Sequence, residues 1–277
     1  YAAARSAGLS SGIPIVAAGG DQQCAAVGLG AVKPGTIVTN TGTGSYVIGL
    51  AEEAVIDPDM GIFCNIGAIP GTYILEASIL TSGAVYNWFS KEFYTGSNSY
   101  RQMDEEIMSS PPGAHGVVVL PYFAGRGSPD WRPEATGVFY NLTLNTGRCD
   151  LARAVVESIA VEMRENIDRI ERLTTAAAFV SVSGGMTKFE EFNQIQADIY
   201  NRTVCRYSLT EATSLGVWVS SAVAMGLTDS WDAAFRSAVA ENQYDLIRYA
   251  PRQETRTVYD DILRSHRSIS SRLFQGV

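Results

Sequence analysis

The sequence predicts an α/β domain in which a mixed β-sheet is flanked by helices. Two observations lead to this prediction. Short β-rich segments dominate the beginning of the chain, and helical and strand patterns alternate from Asp150 onward. Neither a linker nor an internal repeat divides the sequence, so residues 1–277 are expected to form one domain. Hydrophobic residues make up 46% of the chain, which is enough to build its core.

The first half of the chain begins with β patterns. Residues 13–18 form an apolar run that ends at two glycines and predicts a buried strand, and a helix is predicted over residues 21–29. Residues 36–41 and 45–50 flank the tripeptide Gly-Thr-Gly and predict a hairpin. The other predicted elements are strands near residues 62–64 and 72–76, helices over 79–89 and 102–109, and a strand over 117–120.

The second half alternates between helices and strands. Residues 121–137 are rich in Gly, Pro and Arg and are expected to form an ordered loop. A long amphipathic helix is predicted from Asp150, its N-cap, to about Arg172. The elements after it are a strand over 178–182, a helix over 190–199, a strand over 203–207, a buried helix over 215–225 and a charged, mostly solvated helix over 254–273.

Composition and charge exclude several classes of function. The net charge of -8 and the pI of about 4.9 argue against nucleic-acid binding by a basic surface. No apolar run approaches the roughly 20 residues of a membrane span and no signal peptide is visible, so a cytoplasmic protein without a membrane partner is expected. The four cysteines and two histidines lack metal-ligand spacing, so no metal ligand is predicted. The chain starts with Tyr1 instead of Met, which suggests a fragment of a longer protein.

Asp21 is the first candidate for chemistry, because a carboxylate after Gly19-Gly20 at a predicted strand end lies where a ligand can approach. Such a carboxylate can accept the proton of an alcohol that attacks the terminal phosphate of ATP. The alternative is an N-cap aspartate, which needs no ligand, and the spacing alone does not exclude it.

Two glycine-rich turns are candidates for nucleotide binding. Residues 41–45, Thr-Gly-Thr-Gly-Ser, combine glycines that let a backbone approach phosphate oxygens with hydroxyl donors. Because there is no Walker lysine and no complete GxGxxG pattern, an ordinary hairpin turn is the alternative. Residues 184–188, Gly-Gly-Met-Thr-Lys, follow a predicted strand and suit an adenosine that lies against backbone, and a simple connector is the alternative there.

Gly20-Asp21-Gln22-Gln23 and these two turns together resemble the carboxy-terminal domain of the FGGY family of carbohydrate kinases, which phosphorylate glycerol, xylulose, gluconate and related polyols. The resemblance implies that Asp21 is the catalytic base and that Gln22 and Tyr46 lie at the sugar. It implies a nucleotide site formed by Thr41, Gly42, Thr43, Gly44, Gly83, Asn87, Gly184, Gly185, Met186 and Lys188.

Two positions depart from the family pattern. Phe189 stands where a small polar residue is common, which leaves contacts at this position open, and Asn141 stands where glycine is usual. Arg126 and Asp130, in the loop before Asn141, are interpreted as exposed, solvated charges.

The resemblance also implies the architecture of the whole protein. It implies an actin-like (ribonuclease H-like) ATPase fold and a two-domain parent with ATP and Mg²⁺ between its halves. An amino-terminal half, not contained in this chain, would supply most of the sugar site and the main metal contact. The implied activity is phosphorylation of a hydroxyl of a small sugar or polyol, and this chain alone is expected to be inactive. Members of the family are often dimers or tetramers, so a homodimer is compatible with the resemblance.

Two other classes of function stay open. One is a different actin-fold ATPase, for which the Asp21-Gln22 pair at a sugar has no purpose. The other is a non-catalytic module that senses nucleotide or sugar, against which the retained Asp21 argues. The sequence does not name the substrate: Gln22-Gln23 is usual in glycerol kinases, whereas the rest of the chain is at least as similar to xylulose-type kinases.

Overall fold

The computed structural model of the chain describes residues 2–209 and 211–274, and its centre is a seven-stranded sheet. The strands of this sheet are β1 Thr36–Thr41, β2 Ser45–Ala51, β3 Phe63–Ile66, β4 Tyr73–Ile79, β7 Phe179–Ser183, β8 Val204–Tyr207 and β9 Leu246–Tyr249. They lie in the order β3-β4-β2-β1-β7-β8-β9. Two further strands, β5 Val118–Leu120 and β6 Val138–Tyr140, pair with each other.

The sheet is mixed, which confirms the prediction. β1 pairs antiparallel with β2 as the predicted hairpin, and Thr41 lies opposite Ser45. β1 pairs parallel with β7, and β7 pairs parallel with β8. Because Asn40 lies opposite Ser183, the carboxyl ends of β1 and β7 reach the same edge of the sheet.

Helices cover both faces of the sheet. They are α1 Ala2–Ser6, α2 Asp21–Gly28, α3 Gly83–Phe93, α4 Ser99–Ser109, α5 Arg148–Leu173, α6 Glu190–Tyr200, α7 Ala212–Ala224, α8 Trp231–Glu241 and α9 Arg256–Phe274. Within residues 2–209 and 211–274, no helix is both long enough and apolar enough to cross a membrane.

Successive residues of β1 enter two different hydrophobic cores. Ile37 belongs to the larger core, with buried side chains such as Ile159 of α5 and Phe192 of α6. Val38 belongs to the smaller core, with side chains such as Leu215 of α7. Since side chains of a strand alternate between its faces, β1 is buried on both sides and positions the groups at its carboxyl end rigidly.

Residues 13–18 do not form the predicted strand. The side chain of Ile15 is 98% exposed, and no strand within residues 2–209 and 211–274 pairs with this segment. An apolar run becomes a strand only when a neighbouring strand satisfies its backbone N–H and C=O groups. The prediction is therefore wrong for this structure, although the sequence pattern is that of a strand.

Several element boundaries differ from the predictions. β4 continues to Ile79, so α3 begins only at Gly83. The N-cap of α5 is Gly147, and the Asp150 carboxylate accepts a hydrogen bond from the Gly147 N–H at 3.0 Å. The last helix, α9, buries one face and is not mostly solvated. β6, α8 and β9 were not predicted, because their patterns are short or mixed.

Arg126 was predicted to be a solvated charge, and this prediction is wrong. Its side chain is buried and forms ion pairs with Glu162 and Glu165 of α5. The loop that carries Arg126 packs against α5, and two carboxylates compensate the buried guanidinium. Asp130, in the same loop, pairs with Arg126 at 3.0 Å and is exposed, as predicted.

Candidate active site

The candidate site lies where parallel strands β1 and β7 end at one edge of the sheet. The turn after β1 contains residues 41–44, and the turn after β7 contains residues 184–188. Ligands of open α/β sheets bind beyond the carboxyl ends of the strands, so the two glycine-rich turns are brought together where a ligand is expected.

A cavity of about 470 Å³ opens beside these turns and beside the amino end of α3, and we call it the α3 cavity. It contains eight of the ten predicted nucleotide-binding residues: Thr41, Gly42, Thr43, Gly83, Asn87, Gly185, Met186 and Lys188. The other residues of its lining are Tyr86, Tyr100, Asp104 and Phe189. Phe189, the departure from the family pattern, therefore lies in the cavity wall.

Hydrogen bonds join the first turn to the start of α3. The Ser82 and Ala84 N–H groups donate to the Thr43 carbonyl at 2.9 and 3.0 Å, and the Gly83 N–H donates to the Gly42 carbonyl at 2.9 Å. A Cβ at Gly83 would overlap the Gly42 carbonyl oxygen. Only glycine at position 83 permits this close approach of the two backbones. The contact and the three hydrogen bonds attach the turn at residues 41–44 to the start of α3.

The remaining predicted nucleotide residues, Gly44 and Gly184, lie beside the α3 cavity and are not part of its lining. Gly184 has φ +99°, and a Cβ there would overlap the Thr41 carbonyl. A Cβ at Gly44 would overlap the Ile79 carbonyl. Both glycines therefore support the shape of the turns by letting backbone segments approach each other.

Asp21 lies in a second, smaller depression of about 260 Å³, which we call the Asp21 cleft. Gln22 and Tyr46 line the same cleft, so the structure brings the predicted base and the two predicted sugar contacts together. Thr39 and Asn40 of β1 also line it, whereas the next residue, Thr41, lines the α3 cavity. The cleft and the cavity are thus adjacent along one strand.

Asp21 is the first residue of α2, and the N-cap is Gly20. The Asp21 carboxylate is exposed and accepts a hydrogen bond from the neighbouring Gln22 N–H at 2.9 Å. The alternative of an N-cap aspartate does not describe this geometry. An exposed carboxylate at a helix amino end is accessible to a hydroxyl group that enters the cleft.

The charge of Asp21 affects two buried neighbours. Burial raises the pKa of Glu76 on β4, and the Asp21 carboxylate raises it further. Burial and the same carboxylate also raise the pKa of the Cys24 thiol on α2. Glu76 and Cys24 are not part of the cleft lining, so these shifts show only that the Asp21 charge reaches buried groups behind the cleft.

A group of three potential metal ligands lies elsewhere, between α5 and α9. Glu162, Glu165 and His266 are buried and place one ligand atom each within 4.8 Å of one another. Burial lowers the pKa of His266 to about 4 and raises that of Glu162 to about 7. The Arg126 guanidinium contacts both carboxylates, so a positive charge already stands where a metal ion would bind. We interpret the group as a buried ion network.

Comparison with known proteins identifies the family. Residues 37–225 match the sequence profile described as "FGGY family of carbohydrate kinases, C-terminal domain". The chain belongs to this family. The matched range contains both strand-end turns and the amino end of α3, and Asp21 precedes it.

Individual relatives of this FGGY-family chain are named xylulose kinase and glycerol kinase. A xylulose kinase of Staphylococcus epidermidis is 25% identical over 266 residues, which are 96% of this chain and 53% of the relative. A glycerol kinase of Alkalilimnicola ehrlichii is 34% identical over 238 residues, 83% of this chain and 47% of the relative. The chain thus spans about half the length of these curated relatives.

Solved structures of FGGY kinases share the fold. The xylulose kinase of Rhodospirillum rubrum superimposes with a TM-score of 0.89 and 25% identity, covering 98% of this chain and 54% of that one. The glycerol kinase of Plasmodium falciparum, solved with ADP, gives a TM-score of 0.81 and 26% identity, covering 95% and 52%. With the mixed sheet and its flanking helices, these likenesses confirm the predicted actin-like ATPase fold.

Sequence reasoning missed the part of the α3 cavity that α4 supplies. Tyr100 and Asp104 are one helical turn apart and face the cavity. The only sequence signal was this spacing of an aromatic and an acidic residue in a helix. The helix is predicted to begin only at residue 102, so Tyr100 lies outside the predicted helix.

Proposed function

We propose that this chain is the carboxy-terminal domain of an ATP-dependent kinase that phosphorylates a hydroxyl group of a small sugar or polyol. The observation that carries the proposal is the adjacency of the two depressions along β1. The α3 cavity contains eight predicted nucleotide residues, and the Asp21 cleft contains the predicted base. Family membership and relatives named xylulose kinase and glycerol kinase support the same reaction.

The residues present fit a nucleotide. A volume of about 470 Å³ lies within the usual range for small-molecule sites. The glycines of the 41–44 turn let its backbone approach phosphate oxygens, and the Thr43 hydroxyl in the lining can donate to them. Lys188 adds a positive charge to the same cavity. In kinases a divalent metal ion neutralises charge on the phosphates; here its main protein contact is expected from the amino-terminal half.

In the proposed reaction Asp21 accepts the proton of the attacking hydroxyl group while the oxygen bonds to the terminal phosphorus of ATP and ADP leaves. Gln22 and Tyr46 orient the sugar in the same cleft. The turn at residues 41–44 holds the phosphates in line with the hydroxyl group. The amino-terminal half would complete the sugar site, and closure of the two halves would exclude water.

The test uses the protein with its amino-terminal half restored. ADP release from Mg·ATP is followed with glycerol, D-xylulose, L-ribulose, D-ribulose, L-fuculose, gluconate and erythritol. One polyol should accelerate ADP release, and Asp21→Ala should lower its rate at least about a hundredfold, the lower range for a general base. Asp229→Ala is the control, because Asp229 is an exposed carboxylate in the turn before α8.

Two results of this experiment would contradict parts of the proposal. If no polyol accelerates ADP release while nucleotide still binds, a sensing module or another actin-fold ATPase becomes the better description. If the chain of residues 1–277 turns over by itself, the proposed dependence on an amino-terminal half is wrong.

A further inference from the structure

The α3 cavity contains a carboxylate that the proposed reaction does not use. Asp104 of α4 lines the cavity, and the Tyr86 hydroxyl of α3 donates to its Oδ1 at 2.5 Å. Its second oxygen, Oδ2, accepts no hydrogen bond from residues 2–209 or 211–274. Asp104 is half-buried and Oδ2 is not among the fully buried unpartnered atoms, so this oxygen is free to accept a hydrogen bond from a ligand in the cavity.

The surroundings of Asp104 are held in place. The rings of Tyr86 and Tyr100 stack with 5.8 Å between centroids. The Tyr100 hydroxyl donates to Asn87 Oδ1 at 3.2 Å, so the Asn87 amide nitrogen is available to a ligand. α3 and α4 thus present an acceptor, Asp104 Oδ2, and a donor, Asn87 Nδ2, next to aromatic rings. Aromatic faces with a few placed polar groups are the usual lining of a site for a planar ligand.

Charge decides which part of a nucleotide lies at Asp104. Phosphate groups would be repelled by a carboxylate, and the turn at residues 41–44 already suits them. The nucleoside is the uncharged part, and its amino and hydroxyl groups are hydrogen-bond donors. Burial raises the pKa of Asp104, and the hydrogen bond from Tyr86 opposes this rise, so the Tyr86 contact favours the charged acceptor form.

We propose that Asp104 accepts a hydrogen bond from the nucleoside half of the bound nucleotide and makes the site selective for nucleosides with a donor at that position. The inference rests on the proposed function, because it assumes that the α3 cavity binds a nucleotide. The donor is either the amino group of adenine or a ribose hydroxyl. Asp104 is a specificity residue, distinct from the groups that act on the phosphates.

The experiment measures dissociation constants of the chain by calorimetry. The ligands are ADP, three analogues that each lack one donor (inosine diphosphate, 2′-deoxy-ADP and 3′-deoxy-ADP), and tripolyphosphate. In Asp104→Asn, Oδ1 can still accept from Tyr86, but a donor replaces the acceptor that faces the ligand. ADP should bind at least about tenfold more weakly, as expected for a lost hydrogen bond to a charged group.

The analogues and tripolyphosphate make the result specific. Tripolyphosphate should bind Asp104→Asn as tightly as wild type or more tightly, because a like charge is removed. The analogue that lacks the relevant donor should be insensitive to the substitution, which identifies the amino group or the hydroxyl. Glu105→Gln is the matched control, since Glu105 is the next residue of α4, is exposed and pairs with Arg101 outside the cavity.

Two results would overturn the inference. One is an unchanged ADP affinity in Asp104→Asn, and the other is an equal loss for ADP, all analogues and tripolyphosphate. If Asp104→Asn does not fold, Tyr86→Phe replaces it in the experiment. This substitution keeps the Asp104 carboxylate but removes its hydrogen bond from Tyr86. The affinity for ADP should then fall about threefold, and the affinity for tripolyphosphate should not change. A wild-type chain that binds neither ADP nor tripolyphosphate would overturn the proposed function as well. That result differs from a failure of the Asp104 inference alone, in which the wild-type chain still binds ADP.

Discussion

The α3 cavity and the Asp21 cleft both border strand β1, but they are held in place differently. The turn of the α3 cavity is hydrogen-bonded to α3, and its glycines touch neighbouring backbone. The Asp21 cleft has exposed groups at its rim, and the segment before Asp21, residues 13–18, has no regular structure. The groups proposed to bind nucleotide are therefore ordered by this chain, whereas those proposed to act in transfer lie at an open surface.

The substitution with the largest expected effect should change turnover without changing nucleotide binding. Asp21→Asn in the protein with both halves should lower the proposed kinase turnover at least about a hundredfold, because the amide cannot accept the hydroxyl proton. The dissociation constant for ADP should stay within about twofold, since Asp21 does not line the α3 cavity. Steady-state kinetics and calorimetry on the same preparation measure both values. A comparable loss of ADP affinity would mean that the two regions are not independent.

Two adjacent glycines test how the α3 cavity is supported. Gly184→Ala should lower the free energy of unfolding by about 1–3 kcal/mol, because φ is +99° and Thr41 backbone blocks a Cβ. Its ADP affinity should fall about tenfold as the turn shifts. Gly185→Ala is the partner variant: a Cβ there meets nothing within 4 Å, so stability should change by less than about 0.5 kcal/mol. Denaturant unfolding distinguishes the pair, and equal stability losses would contradict the prediction.

Tyr46→Phe addresses the Asp21 cleft alone. Removing one hydroxyl group should raise the KM for the polyol about threefold to tenfold, the range for a single hydrogen bond. The KM for ATP should not change, because Tyr46 lines the cleft and not the α3 cavity. If the KM for ATP rises instead, Tyr46 acts on the nucleotide side.

The smallest expected effect is that of Lys188→Met. Lys188 is exposed in the lining of the α3 cavity, so its attraction to phosphate is screened by water and salt. ADP should bind up to about fivefold more weakly at low ionic strength, and the difference should vanish in 1 M salt. A loss that persists in high salt would indicate a directed hydrogen bond rather than a screened charge.

The two sides of the α3 cavity were predictable to different degrees. The glycine turns at 41–44 and 184–188 lie within a few residues of the chemistry they suggest, so a local motif was sufficient. Tyr100 and Asp104 reach the cavity only because α4 packs beside α3, a tertiary arrangement that spacing within one helix does not reveal. The lining of the α3 cavity was therefore predicted from one side only.

The errors in the predicted fold also arise from tertiary contacts that a local sequence pattern does not show. Residues 13–18 have a strand pattern, but a strand also needs a partner, which a local pattern cannot supply. Arg126 was assigned to solvent because arginine is rarely buried, and its two partners on α5 are 36 and 39 residues away. Strands β1, β2 and β4 and helices α5 and α6, by contrast, were predicted because each has a β-rich or helical pattern of its own.

The contact between α2 and α7 has a mechanical consequence for Asp21. A Cβ at Gly28 would overlap Ala212, and one at Gly216 would overlap Cys24, so the two helix backbones touch along this crossing. Because these contacts lie at both Cys24 and Gly28, they hold α2 against α7 over about one helical turn. Asp21 lies only three residues before Cys24, about 4.5 Å along the axis at 1.5 Å per residue. The position of the Asp21 backbone is therefore set by the packing of α2 against α7.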